Sequence, residues 1–426
     1  MDTQKVFGRP YRPRHIDSRL QFALSAAGAV VLEGPRGCGK TWTALNLASS
    51  YILLDDPLNR LRALESPHSV LEGAAPRLLD EWHDAPDLWN LVRRAVDFSP
   101  ELGRFILTGS SVPSDDITRH TGGGRFIRLR QRTMTVREKT RTPQPAPVSL
   151  AALFAGQDIA TMDTSDLTLS TAIRDVTTSG FPAMIDLDFE QAAARLETYI
   201  DEITRTDIQR VASVRHAPEV IRQLITALAR STASEVSLAT LARDVRSVAP
   251  DIRPETIGNY VESLQRLYFV EPQRSWSPSL RSRAVVRTTP KYHLADPSLA
   301  AVAIGASPER LATDVETLGL LFESAAFHDL SVYAGALEGE VRHYRDSNRR
   351  EIDAIVRLKD GRWGAVEVKL GASRIGEAHA TLERTIADID TASVGEPAFR
   401  LVLTGNGPTY RIDEQTITTS LANLGP

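Results

Sequence analysis

The chain has 426 residues, of which 42% are hydrophobic and 24% are charged, and its formal net charge is -4. This composition is typical of an ordinary globular protein, and the length predicts two or more domains. The near-neutral balance excludes a strong overall attraction for nucleic acid, so contacts with DNA or RNA would require local basic patches. A single cysteine, Cys38, excludes an internal disulfide framework. Since no stretch approaches the roughly 18 apolar residues of a membrane span, we expect a cytoplasmic protein without a membrane partner.

Residues 34–41 read GPRGCGKT and carry the clearest chemical signal. They satisfy the phosphate-loop pattern G-x-x-x-x-G-K-[ST] between the apolar run AVVLE and a predicted helix. In such a loop backbone N–H groups surround the β-phosphate, the lysine neutralises β- and γ-phosphate oxygens, and the threonine hydroxyl holds Mg²⁺. The residues predicted to bind the nucleotide are Gly34, Pro35, Arg36, Gly37, Cys38, Gly39, Lys40, Thr41 and Trp42. Lys40 is also predicted to be catalytic, and Thr41 to bind the metal.

A second acidic element follows in the run RLLDEWHDAP. Asp80 is predicted to bind Mg²⁺, directly or through water, and Glu81 to polarise the water that attacks the γ-phosphate. The run RFILTGSS ends in hydroxyl groups, of which Thr108 or Ser110 is a candidate for orienting that water or the phosphate. A simple turn at the end of a strand is the alternative for these two residues.

Two arginines, Arg119 and Arg125, lie in a Gly-rich loop. By analogy with arginine fingers they are candidates for trans-acting contacts with the nucleotide at a subunit interface. An ordinary solvated loop arginine is the alternative at both positions.

The alternation of apolar runs and helical patterns from residue 28 to 130 predicts a parallel sheet with crossover helices. The chain is predicted to divide into an N-terminal nucleotide-binding domain, a helical lid or connector, a winged-helix-like segment and a C-terminal α/β domain, at residues 1–145, 146–215, 216–275 and 276–426. The winged-helix-like segment is a candidate for DNA binding. Its third helix carries Glu255 and Glu262 against only Arg266, which favours a structural role instead.

The C-terminal run EIDAIVRLKDGRWGAVEVKL predicts a second site. Side chains alternate along a strand, so Glu367 and Lys369 share one face, and a hairpin with an Asp-Gly turn brings Asp353 beside them. Paired carboxylates suit Mg²⁺ or Mn²⁺ at a phosphodiester, and the lysine can orient water. We predict Asp353, Glu367 and Lys369 as catalytic, and Glu323, Asp353 and Glu367 as metal ligands. This is the D…E-x-K arrangement of the PD-(D/E)XK nuclease fold; ordinary charge pairing on an exposed strand is the alternative.

Taken together, the chain resembles a bacterial and archaeal family of AAA-type ATPases fused to a C-terminal domain of unknown function with a restriction-endonuclease-like core. The segments that carry the resemblance are YRPRHID, GPRGCGKTWTA, LLDDP, LLDEWHDAP, FILTGSS, GGGRF, SGFP, LYFVEP, PKYHLAD, FESAAFHDL, HYRD, EIDAIV and AVEVKLG. The resemblance implies ATP as the nucleotide and an α/β fold with a P-loop AAA-like parallel-sheet domain, a helical and winged-helix middle and a restriction-endonuclease-like α/β end. It brings no agreed biological role. His83 stands where the family often has glutamine.

Three functions are compatible with these motifs. The leading hypothesis is an ATP-dependent machine in which nucleotide turnover gates a metal-dependent phosphodiesterase site acting on DNA or RNA. The second is a nucleotide-gated regulator whose C-terminal domain binds DNA or protein without cutting. The third makes that domain a structural support for a homo-oligomer.

Overall fold

The computed structural model describes residues 10–111, 123–140, 145–163, 168–212, 216–278, 289–346 and 348–426. The chain separates into two compact units, and neither is a single stretch of sequence. The first unit comprises Met1–Met134, Asp207–Val214 and Ser263–Phe269. The second comprises Thr135–Thr206, Arg215–Glu262 and Val270–Pro426. The division into four segments stays a prediction.

The first unit is built on a five-stranded parallel sheet with the strand order β2-β3-β4-β1-β5. The strands are β1 (Ala29–Glu33), β2 (Ser50–Leu53), β3 (Arg77–Asp80), β4 (Phe105–Gly109) and β5 (Phe126–Arg130). The central strands are buried on both faces, which is why they read as continuous apolar runs. The predicted parallel sheet is confirmed, and the carboxyl ends of its strands meet at one edge.

Helices connect these strands. They are α1 (Asp17–Ala26), α2 (Lys40–Leu47), α3 (Pro57–Glu65), α4 (Pro67–Val70) and α5 (Leu88–Asp97), with a 3₁₀ turn at Trp82–Asp84. Local sequence determines where α3 begins. The Asp56 side chain caps the helix by accepting hydrogen bonds from the backbone N–H groups of Leu58 and Asn59, and Pro57 occupies the first helical turn.

An aromatic cluster forms part of the core on one face of this sheet. The Trp89 ring lies 5.0 Å from Trp82 and 4.4 Å, edge to face, from Phe126. Trp89 is 1% exposed. Because Trp82 directly follows the acidic pair Asp80–Glu81, this packing also fixes the turn that carries the pair.

The second unit contains a six-stranded mixed sheet with the order β13-β14-β12-β11-β10-β9. Two further ribbons are an antiparallel pair of β7 with β8 and a parallel pair of β6 with β15. The strands are β6 (Val148–Ser149), β7 (Val270–Gln273), β8 (Lys291–Leu294), β9 (Glu340–Arg345), β10 (Glu351–Arg357), β11 (Trp363–Lys369), β12 (Arg400–Thr404), β13 (Tyr410–Arg411), β14 (Thr416–Ser420) and β15 (Leu424–Gly425).

The remaining helices are α6 (Leu150–Phe154), α7 (Leu169–Thr177), α8 (Phe189–Glu202), α9 (Ile208–Val211), α10 (Pro218–Arg230), α11 (Leu238–Val245), α12 (Pro254–Arg266), α13 (Pro297–Ala303), α14 (Pro308–Thr313), α15 (Val315–Ala336), α16 (Ile375–Ile386) and α17 (Thr391–Val394). A π-helical turn at Ile203–Asp207 and 3₁₀ turns at Ala372–Arg374 and Leu421–Asn423 complete the described elements. Helix α9 and the last turn of α12 belong to the first unit.

The C-terminal elements agree with the sequence pattern. The predicted long helix is α15, the three predicted strands are β9 to β11, and Gly361 takes a left-handed φ of 94° in the turn between β10 and β11. Helix α15 is buried around most of its circumference, and α16 packs on β11 and β12. The predicted strand after α16 is β12. The short strands β13 to β15 were not predicted.

In the middle segment the three predicted helices are present as α10, α11 and α12. The strand that follows, β7, pairs with β8, which lies beyond the predicted end of the segment. The winged-helix arrangement therefore stays a prediction. None of the helices in the described part of the chain is both long enough and apolar enough to cross a membrane.

The core packing of Trp89 gives a direct test of the first unit. Replacing Trp89 with alanine removes a buried indole from two aromatic neighbours, so we expect a loss of about 3–5 kcal/mol in the free energy of unfolding. Chemical denaturation measures this value. As a control, Phe98→Ala at a side chain that is 88% exposed should change stability by less than about 0.5 kcal/mol. Equal effects of the two substitutions would contradict the packing described.

Candidate functional site

The phosphate loop joins the carboxyl end of β1 to the start of α2. Its glycines are required by space and backbone conformation. A Cβ atom at Gly34 would lie 2.0 Å from the carbonyl oxygen of Gln131, and Gly39 has a left-handed φ of 99° directly before α2. The loop therefore presents backbone N–H groups at a helix N-terminus, an arrangement that binds phosphate.

Lys40 is the first residue of α2 and is only 4% exposed. Its ammonium nitrogen donates hydrogen bonds to the carbonyl oxygens of Gly34 and Pro35, both at 3.0 Å. These bonds hold the positive charge over the loop, where a bound β- or γ-phosphate would lie.

The other predicted loop residues have distinct surroundings. Arg36 is exposed and its guanidinium lies 3.5 Å from the carboxylate of Asp207. Gly37 has a left-handed φ of 78°. Cys38 is fully buried, with its sulfur 3.6 Å from the carbonyl oxygen of Gln131, so the cysteine faces the protein interior. Trp42 is half-buried on α2.

Asp80 is the last residue of β3 and lies next to the loop. Its carboxylate accepts a hydrogen bond of 2.5 Å from the Thr108 hydroxyl, and the Thr41 side chain also hydrogen-bonds to it. Burial raises the pKa of Asp80 to about 6, although the two threonines oppose the shift. A hydroxyl and a carboxylate in contact are hard oxygen donors that suit Mg²⁺, so the residues present fit this ion.

Glu81 adopts a left-handed backbone conformation with φ of 52°, which turns its side chain away from the strand direction. Its backbone N–H donates to the Thr108 hydroxyl at 3.1 Å, and its carboxylate accepts from the Ser110 hydroxyl at 3.2 Å. His83 Nδ1 lies 3.3 Å from the same carboxylate. The structure thus brings both acids together with Thr108 and Ser110, where the sequence left a simple turn as the alternative.

Arg125 lies at the opposite edge of the sheet. It precedes β5, whose register pairs Phe126 with Ala29 at the start of β1, so about 16 Å of strand separates it from the phosphate loop. Its side chain pairs with Asp97. Arg125 therefore does not reach the phosphate loop of its own chain, and the predicted trans-acting role at a subunit interface stays a prediction. Arg119 lies outside the described residues.

Arg14 and Gln131, which were not predicted from the sequence, stabilise the phosphate loop through hydrogen bonds to the Cys38 carbonyl. Arg14 donates to the carbonyl oxygens of Cys38 and Arg132, both at 2.9 Å. The Gln131 amide donates to the Cys38 carbonyl at 3.2 Å and to the Thr43 hydroxyl at 3.1 Å. Arg14 belongs to the segment YRPRHID, so its position in a recognised motif was the available signal.

The second predicted site is built on the β10–β11 hairpin. Asp353 lies where the register between β9 and β10 shifts, between Ile352 and Ile355, and its carboxylate accepts from the backbone N–H of Val368 at 2.8 Å. Such a bulge re-aims a side chain. The register of β10 with β11 places Asp353 across from Glu367, as predicted from the turn.

Glu367 and Lys369 form a partly buried pair, with Lys369 Nζ 2.8 Å from Glu367 Oε1. Glu367 Oε2 is buried and has no hydrogen-bond partner among the described residues. Burial, and then the charge of Asp353, raise the pKa of Glu367 to about 8. A buried carboxylate oxygen without a donor points to a cation or a proton as its partner.

Glu323 comes to this cluster from α15, as predicted, but its partner was not predicted. The Lys291 ammonium lies 2.7 Å from Glu323 and 2.6 Å from Glu351. Burial, and then the charge of Asp353, raise the pKa of Glu323 to about 8. Lys291 and Glu351 stand in the quoted segments PKYHLAD and EIDAIV, but no spacing rule connects them to the hairpin.

Three of the nearby arginines have acidic partners. Arg342 pairs with Glu340 at 2.9 Å, Arg345 with Glu235 at 2.9 Å, and Arg350 with Asp388. Their charges are therefore partly neutralised, which weakens them as contacts for a phosphate backbone.

Comparison with known proteins identifies the type of the N-terminal domain. Residues 26–139 match the family described as AAA domain, residues 173–310 match the domain of unknown function DUF8612, and residues 318–424 match the domain of unknown function DUF4143. The N-terminal part of the chain is therefore an AAA-type P-loop domain, and this match supports ATP binding and hydrolysis. The nuclease-like and winged-helix interpretations stay predictions.

Similar proteins include uncharacterized protein Rv2008c of Mycobacterium tuberculosis and uncharacterized protein Mb2031c of Mycobacterium bovis. Each is 25% identical over 363 residues, which cover 84% of this chain and 73% of the relative. Among solved structures, a Walker-type ATPase of Pyrococcus abyssi is similar with a TM-score of 0.38 and 16% identity, over 69% of this chain and 96% of that one.

The support from Arg14 is testable by substitution. Arg14→Ala removes a charged donor that joins the loop carbonyl of Cys38 to the carbonyl of Arg132, so we expect the affinity for Mg²⁺-ADP to fall about tenfold, equivalent to about 1.4 kcal/mol. Isothermal titration calorimetry measures the affinity. Arg60→Ala, at an exposed position on α3, is the control. Unchanged affinity in a folded Arg14→Ala protein would show that the loop does not depend on this arginine.

Proposed function

We propose that the AAA domain hydrolyses ATP and that its turnover controls a metal-dependent site in the second unit that binds and cleaves the phosphodiester backbone of DNA or RNA. The observation that carries the ATPase part is the contact of Thr41, Asp80, Glu81 and Thr108 at one edge of the parallel sheet. The side chains proposed to bind the metal and to orient the attacking water therefore lie together at the end of the phosphate loop.

In the ATPase reaction Lys40 neutralises oxygens of the β- and γ-phosphates. Mg²⁺, when bound by Thr41 and Asp80, supplies further charge for the same oxygens. Glu81 polarises the attacking water, and Ser110 holds the Glu81 carboxylate in place. Thr108 fixes both acids, since its hydroxyl donates to Asp80 and accepts from the backbone of Glu81.

The second-unit part of the proposal rests on Asp353, Glu367 and Lys369. Asp353 and Glu367 would hold Mg²⁺ or Mn²⁺, which supplies Lewis-acid stabilisation at the phosphodiester. Lys369 is held by Glu367 and would orient the water for attack on phosphorus. A P–O bond to water then forms, the bond to the leaving oxygen breaks, and one proton passes from the water to that oxygen.

A regulator that binds DNA or protein without cutting is the second candidate. It is favoured by the buried Lys291, whose ammonium already pairs with two carboxylates of the cluster, and by the arginines near it that have acidic partners. A homo-oligomer belongs to either candidate if Arg125 of one copy serves the nucleotide of another.

Glu81 provides the test of the ATPase. Glu81→Gln keeps the size of the side chain but removes the base, so we expect kcat for ATP hydrolysis to fall at least about 100-fold while nucleotide binding remains. Phosphate release and calorimetric binding of ATP measure the two effects. Glu65→Gln, at an exposed position on α3, should behave as the parent. Full hydrolysis by Glu81→Gln would assign the base to another residue.

Lys369 provides the test of the second site. Lys369→Ala should reduce cleavage of DNA or RNA at least about 100-fold while ATP hydrolysis stays unchanged, because the lysine acts only at the phosphodiester. Linear, circular and single-stranded substrates are incubated with Mg²⁺ or Mn²⁺, with and without ATP. Lys359→Ala, at a side chain that is 73% exposed, is the control. ATP hydrolysis by the parent without cleavage under any of these conditions would leave the regulator as the function.

A further inference from the structure

We propose that Lys291 permanently holds the place of one cation in the carboxylate cluster, so that the site binds a single divalent ion, at Asp353 and Glu367. This inference rests on the proposed phosphodiester site and specifies its metal content. It also removes Glu323, predicted from the sequence as a metal ligand, from direct contact with the ion.

The cluster divides into two halves. In one half the Lys291 ammonium bridges Glu323 at 2.7 Å and Glu351 at 2.6 Å. In the other half Lys369 contacts only one oxygen of Glu367, at 2.8 Å, and Asp353 lies across from Glu367 on the neighbouring strand. One half is therefore closed by a lysine, and the other half retains carboxylate oxygen that a metal can use.

Lys291 is fixed in place by the fold. It is 3% exposed and lies on β8, where its register partner in β7 is Gln273. The Gln273 side-chain amide donates to the backbone carbonyl of Asp353 at 2.7 Å and to that of Arg342 at 3.2 Å. The β7–β8 ribbon, which carries Lys291, is thus hydrogen-bonded to the backbone of Asp353, a proposed ligand of the ion.

The Lys291 ammonium is also held by two partners at once. Its side chain is 3% exposed, and it lies within ion-pair distance of Glu323 and of Glu351. Displacing it would leave two partly buried carboxylates without this counter-charge.

The open half offers a carboxylate oxygen to a cation. Glu367 Oε2 is buried without a hydrogen-bond partner among the described residues, and the register of β10 with β11, continued one residue beyond the Ala354–Val366 pair, sets Glu367 opposite Asp353.

The test is the number of Mn²⁺ ions bound per chain, measured without nucleotide by calorimetry and by electron paramagnetic resonance of Mn²⁺. The protein used carries Asp80→Asn, which removes the proposed metal carboxylate beside the phosphate loop, and His379→Ala. The latter removes one ligand from a separate group, His379, Glu383 and Asp413, whose ligand atoms lie within 4.8 Å of one another. We expect one bound ion in this background.

Two matched carboxyl variants locate that ion. Glu367→Gln should abolish its binding, whereas Glu323→Gln should change the affinity by less than about threefold, well below the tenfold step equivalent to 1.4 kcal/mol. Loss of the ion in Glu323→Gln would overturn the inference. If Glu367→Gln leaves the number of bound ions unchanged, the proposed phosphodiester site itself is wrong. If instead two ions are bound and both are lost in Glu367→Gln, the site exists but the single-ion inference is wrong.

Lys291→Met should open the closed half and raise the count to two. The two ions would lie about 3.5–4 Å apart, close enough to give a spin-coupled Mn²⁺ spectrum. Lys359→Met, at an exposed lysine near the same hairpin, should stay at one ion. Two Glu367-dependent ions in the background protein, or a folded Lys291→Met protein that still binds one, would overturn the inference. If Lys291→Met does not fold, the background count and the two carboxyl variants decide the question.

Discussion

Asp80 and Glu367 each lie at or near the carboxyl end of a strand, and the fold leaves each of them only 5% exposed. Removing a carboxylate from water is costly unless donors or cations replace the lost hydration. Threonine hydroxyls meet this demand at Asp80. At Glu367 a lysine meets it in part, and one oxygen remains without a donor among the described residues. The positions of the surrounding polar groups follow from this demand.

The two units replace the lost hydration of their buried carboxylates with different architectures. In the first, neighbouring parallel strands end at the same edge, so β3 and β4 deliver Asp80 and Thr108 beside the helix that begins after β1. In the second, a bulge in β10 and a ribbon from outside the main sheet deliver Asp353 and Lys291. The first arrangement leaves hard oxygen ligands facing a phosphate loop. The second arrangement already contains a positive charge from the protein itself, the Lys291 ammonium between Glu323 and Glu351.

Sequence alone predicted the parts of both sites that depend on local pattern. The phosphate loop is a contiguous motif, and the Asp-Gly turn fixed the β10–β11 register that sets Asp353 across from Glu367. Lys291 was missed because β8 pairs with β7 although 17 residues, 274–290, separate the two strands in the sequence. These residues show no alternating pattern from which the pairing could be predicted. Arg14 was missed as a support of the phosphate loop because its contact with the Cys38 carbonyl joins residues 24 positions apart, which no local pattern predicts.

We propose that this chain holds two separate metal sites directed at phosphate. Anomalous diffraction from crystals grown with Mn²⁺ and a non-hydrolysable ATP analogue tests this directly. We expect one manganese peak beside Thr41 and Asp80, in contact with the nucleotide phosphates, and a second between Asp353 and Glu367. Absence of the second peak at saturating Mn²⁺, with the first present, would show that the carboxylates of the second unit do not form a metal site.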